Sequence, residues 1–237
     1  MKKLHWLALA FCTLVSVGAR WYQFLFCYDE QGLPVAPAGL LCLAPALCLA
    51  VFALVTRGAK ASDKKMEELF VFSSTLPLFL GVLGAFTLIA AAVVLFLGGA
   101  RGVMLLLPLF LAASGVCVFY VLACLKKGLA FPGIAAGFAA AYLAVQLVFT
   151  YRECAQDPVL VNFFVELLAI AALAWAFVQL AAFAFRTASP RVYLPTAMLS
   201  VVLGVTGAVT AASLFWLLML AGFALVQLAF LSAYQGE

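Results

Sequence analysis

From Tyr193 to Ala233 the chain carries no charged residue. As a single helix that run would be roughly 60 Å long, about twice the ~30 Å hydrocarbon core of a bilayer. It therefore has to turn. The stretch Gly207 to Ser213 is the favoured place, and Ala221-Gly222 is the alternative that would leave a short final helix. Other charge-free runs of 18 or more residues precede it, which is the signature of transmembrane helices.

Only 9% of the 237 residues are charged and 68% are hydrophobic. A soluble domain usually carries about 25% charged residues. This chain could not cover a core of that size with a wetted surface. The expected fold is all-α: one polytopic membrane domain over 1–237 with about eight spans. They fall near 4–27, 39–56, 70–97, 103–125, 130–150, 160–185, 193–211 and 213–234. Pro45, Pro77 and Pro108 are expected to kink or open the second, third and fourth spans. The start resembles a signal peptide, but apolar character continues through Phe26, so an uncleaved first helix is the reading.

The gaps between spans differ in charge. Lys2, Lys3, Arg57, Lys60, Lys64, Lys65, Lys126, Lys127, Arg186 and Arg191 fall on one side, and only Arg101 and Arg152 on the other. This bias orients the chain with its N-terminus cytoplasmic and, for eight spans, its C-terminus too. The expected location is the cell (cytoplasmic) membrane. The basic residues serve topology, so nucleic acid is not an expected partner. The lipid bilayer is one, and a small-molecule solute and protein partners are left unidentified.

Two stretches, Leu80 to Thr87 and Leu203 to Thr210, match at six of eight positions. Their offset of 123 residues equals that between Tyr28 and Tyr151, each of which opens an outer loop ending in proline. A 4+4 tandem repeat, 1–126 and 127–237, is one reading, and chance matching of small apolar residues is the other. Each stretch has glycines three apart, suited to close helix packing or to an unwound binding segment.

Catalytic constellations are missing from the pattern. His5 is the one histidine, which excludes bis-histidine haem ligation and His-rich zinc sites within the chain. No nucleotide-binding glycine motif occurs. No cofactor or metal is expected, and the chain reads as a non-enzyme. A membrane enzyme with an unrecognised nucleophile is the weakest alternative. The seven cysteines read as buried thiols, with Cys27 and Cys154 near enough to one membrane face for a disulfide.

What remains is a polar layer. Thr13, Ser16, Arg20, Gln23 and Cys27 recur every three or four residues, so they line one face of the first span. Tyr142, Gln146 and Thr150 do the same on the fifth, and Asn162 and Glu166 stand one turn apart on the sixth. Counting ~1.5 Å per residue from the span ends places Arg20 about 10 Å, and Glu166 about 9 Å, below the same outer boundary. An ion at that depth is costly and ordinarily pairs. The candidate site is therefore Arg20, Gln23, Gln146, Asn162 and Glu166. It serves either a small-solute permease or binding protein, or a scaffold subunit whose ion pair only holds helices together.

Overall fold

The computed structural model describes residues 3–27, 43–58, 66–72, 74–98, 105–129, 132–154 and 164–235. They form α1 (Lys3–Phe26), α2 (Ala44–Val55), α3 (Met66–Leu69), α4 (Thr75–Leu97), α5 (Leu106–Lys126), α6 (Gly133–Cys154), α7 (Phe164–Ala184), α8 (Pro190–Val209) and α9 (Leu214–Ala233). In hydrocarbon every backbone amide must bond within its own segment, which is why charge-free runs of this length become helices. Seven of these, all but α2 and the four-residue α3, are long and apolar enough to cross a membrane. The fold is that of a multi-pass membrane protein of about eight helices.

The charge-free run turns where length required it. Helix α8 stops at Val209, and Ser213 caps α9 by accepting a bond from the Trp216 amide at 3.4 Å. The third span begins later than expected: Phe70–Phe72 is not helical, and α4 starts at Thr75. Phe70 instead bridges to Tyr234, with Val71 N donating to Ala233 O (2.9 Å) and Gln235 N to Leu69 O (2.8 Å). Its apolar residues are buried in that contact and not in a longer helix. Pro45, Pro77 and Pro108 lie in the first turns of α2, α4 and α5. They open helices where the missing N–H is not needed, and they do not kink them.

Helices α4 to α9 pack in chain order into a ring closed by an extensive α4–α9 contact, while α1 and α2 pack on each other and on α8 from outside. The ring has a filled centre. Tyr142 of α6 stacks on Phe223 of α9 (5.9 Å), Phe177 of α7 meets Phe223 edge-on (5.5 Å), and Phe110 of α5 meets Tyr142 (5.7 Å). At one end Phe70 lies 5.5–5.8 Å, edge to face, from Phe183, Tyr193, Phe230 and Tyr234.

Close approach of α4 and α9 depends on glycine. A Cβ at Gly84 would sit 2.8 Å from the carbonyl oxygen of Gly222, where the obstacle is backbone. All four glycines lie within unbroken helix, Gly81 and Gly84 in α4 and Gly204 and Gly207 in α8, so packing and not unwinding is their role. Gly204 and Gly207 of α8 face Ala224 and Leu220 of α9.

The contacts also order the helix ends. The end of α1 (Trp21 to Leu25) lies beside the α8–α9 turn (Val209 to Ala211), whereas Phe70 lies beside Tyr234 at the far end of α9. The chain must therefore cross between Cys27 and Phe70. Helix α2 is the described part of that crossing, and its 12 residues alone reach only ~18 Å. Residues 39–42 of the expected second span lie outside the described residues.

Candidate functional site

The buried face of α1 comprises Leu9, Cys12, Ser16, Arg20 and Gln23. Of the expected stripe, Ser16, Arg20 and Gln23 lie on that face and Cys27 is buried just past the helix, while Thr13 is half-buried and donates to Leu9 O at 2.8 Å. That stripe points at α8 and α2, and at its upper end reaches the first turn of α7. Arg20 Nη2 lies 3.6 Å from Glu166 Oε2, with side-chain exposures of 2% and 15%. Arg20 Nη1 donates to Gln23 Oε1 at 2.7 Å, a bond within α1. The guanidinium also lies 4.6 Å from the centre of the Phe24 ring, a cation–π contact.

These contacts spread one positive charge over a carboxylate, an amide and an aromatic face. At 3.6 Å the ion pair is longer than a charge-assisted hydrogen bond of ~2.7–2.9 Å. Buried Glu166 Oε2 accepts no hydrogen bond among the described residues.

The amides on α6 act elsewhere. Tyr142 Oη donates to Gln146 Oε1 at 3.2 Å, and Gln146 Nε2 donates to Thr150 Oγ1 at 3.3 Å. Gln146 is thus engaged along its own helix, and no hydrogen bond joins it to Arg20 or Glu166. Helical spacing placed it at the right depth but could not give its direction around the bundle. Asn162 lies outside the described residues.

The sequence reading missed Phe24 and Thr206. The signal for Phe24 was its place one turn beyond Arg20 on α1. Thr206 lines the cavity beside Arg20, together with Ser16, Gln23, Pro45, Val165 and Leu203. Space for water centres there is about 20 Å³, and a single water requires ~10–15 Å³. Among the described residues, the space beside Arg20 is thus that of about one water.

A second polar contact lies toward the opposite end. Tyr193 Oη donates to Gln227 Oε1 at 3.4 Å, joining α8 to α9, while Gln227 Nε2 has no partner among the described residues. The disulfide considered for Cys27 and Cys154 is not formed. Ser16 Oγ and Cys48 Sγ are 3.5 Å apart and link α1 to α2. Among the described residues no three His, Cys, Asp or Glu side chains gather as a metal site would require.

Fold and site together define a multi-pass membrane protein with a buried inter-helical ion pair. Comparison with protein families, curated proteins and solved structures finds no match for the chain.

Proposed function

We propose that the protein is a scaffold or partner subunit of the cytoplasmic membrane, with both termini cytoplasmic, in which Arg20 and Glu166 clamp α1 and α2 to the ring. The observation that carries this reading is the space beside the guanidinium: about 20 Å³, water-sized, behind a ring whose centre is filled with aromatic side chains. A solute site ordinarily needs ~300–1,000 Å³. The ten-to-two distribution of basic residues supports the orientation.

One observation favours a second reading, a proton or ion site reached from the outer face. Glu166 Oε2 is buried yet accepts no hydrogen bond among the described residues, and so keeps acceptor capacity.

Flux in proteoliposomes, run with a solute panel and a pH-sensitive dye, separates the two. Under the scaffold reading, wild type and the Arg20→Gln/Glu166→Gln double variant behave alike, with no saturable flux. Saturable solute or proton flux in wild type that the double variant loses, while remaining folded, would overturn it.

A further inference from the structure

We propose that the cleft between α8 and α9 is a binding site for one acyl chain of a lipid in the leaflet nearest the α8–α9 turn. Val201, Val205, Ala208 and Val209 of α8 form one wall, and Leu217, Ala221, Leu225 and Leu228 of α9 form the other. The cleft holds about 350 Å³ for water-sized spheres, far more than the space at Arg20.

Its length identifies the occupant. From Leu217 to Leu228 is eleven residues, or ~16 Å at ~1.5 Å per residue, which matches half of the ~30 Å hydrocarbon core. One leaflet's chain therefore runs its full depth along the cleft. Chemistry agrees, because no residue from Tyr193 to Gln235 is charged, so nothing in these walls recognises a polar group at that depth.

The outer end is different. Val209 also lines a second, contiguous space of about 480 Å³ with Trp21, Phe24, Leu25, Thr210 and Ala211. Trp21 supplies an amphipathic ring and Thr210 a hydroxyl beside the α8–α9 turn. The walls thus change from wholly apolar to mixed along the cleft, as an anchored chain does along its length.

A second copy of the protein fits poorly. A cleft ~16 Å long and ~10 Å across, the spacing of two packed helices, offers about 160 Å², against the ~800 Å² per partner of a stable interface.

The site is tested on the full chain reconstituted in liposomes containing phosphatidylcholine with a diazirine on one acyl chain. After irradiation, adducts are mapped by peptide mass spectrometry. Adducts at Val205, Val209, Leu217, Ala221 and Leu225 are expected several-fold above those at Phe79, Leu83 and Phe86, which lie on the exposed face of α4. Ala221→Phe fills the cleft and removes that excess, leaving α4 labelling unchanged. Even labelling around the perimeter of the wild-type protein overturns the proposal whether or not the variant folds. Cross-links between protein chains at the cleft would overturn it too, and would mark the cleft as an interface between copies.

Discussion

Replacing Arg20 by glutamine removes its contacts with Glu166 at 3.6 Å, Gln23 at 2.7 Å and the Phe24 ring at 4.6 Å. It also leaves the Glu166 carboxylate, at a side-chain exposure of 15%, without a counter-charge among the described residues. Breaking a fully buried pair from one side costs ~3–5 kcal/mol. The residual exposure of Glu166 and the long ion-pair distance argue for the lower part of that range or just beneath it, about 2–3 kcal/mol. Glu166→Gln should cost less, because Arg20 keeps Gln23 and Phe24 and the new amide oxygen can still accept from it. Adding Glu166→Gln to Arg20→Gln removes the stranded carboxylate, so the double variant should be more stable than Arg20→Gln alone by ~1 kcal/mol or more, within the ~0.5–3 kcal/mol range of coupled neighbours. Reversible unfolding of the four proteins in mixed micelles gives the cycle. If the two single effects simply add, to within ~0.5 kcal/mol, the side chains are not coupled and the clamp is refuted.

Other outcomes can be measured with the same material. In a cysteine-free background, Gln31→Cys and Ala155→Cys should label from outside and Ser62→Cys and Ala188→Cys from inside. Reversed labelling sinks the orientation, and a C-terminal reporter found outside sinks the count of eight crossings. Gly84→Ala should destabilise by ~1–3 kcal/mol, because its Cβ meets the Gly222 carbonyl at 2.8 Å, whereas Gly18→Ala meets nothing within 4 Å and should be neutral or stabilising; equal melting temperatures for the two variants would contradict the close α4–α9 contact. Phe70→Ala should cost ~3–5 kcal/mol and expose the C-terminal residues to protease, since four rings pack on it; unchanged proteolysis would show that the tail is held by other means. Helix α7 ends in a left-handed residue, Arg186 (φ 57°), in the position that Gly128 (φ 63°) takes after α5. In both places an amide bonds to the carbonyl five residues back, Thr187 to Ala182 and Leu129 to Cys124. Arg186→Gly should therefore raise the melting temperature by relieving a strain of ~1–2 kcal/mol, and a lowered one would show that the arginine side chain outweighs it.

Helix number and the polar stripe of α1 were legible because each depends on near-neighbour spacing. Length alone forced the turn near Ser213, and the three-and-four recurrence of Ser16, Arg20 and Gln23 placed them on the buried face. Direction around the bundle was not legible. Gln146 shares the depth of Arg20 but is bonded to Tyr142 and Thr150, because depth is set by residue counting whereas azimuth is set by which helices become neighbours. The start of α4 was obscured for a related reason. Phe70 and Phe72 are apolar enough to extend a span, yet they pack against Tyr193, Phe230 and Tyr234, residues more than a hundred positions away. The prolines were read as kinks or openings, and their position in the first turn decides for openings.

The packing of α1 and α2 on α8 has a consequence for biogenesis. Arg20 and Glu166 are 146 positions apart (166 − 20), and α8, the surface on which α1 rests, is made later still. At a synthesis rate of ~5–20 residues per second, the guanidinium waits roughly 7–30 s for its carboxylate. Throughout that time α1, made before the other described helices, lacks the surface on which it rests. Until α7 and α8 arrive, Arg20 has Gln23 and Phe24 of its own helix beside it but neither Glu166 nor the face of α8. Of the described helices, α1 is thus the one that waits longest, in chain order, for its packing surface on the ring.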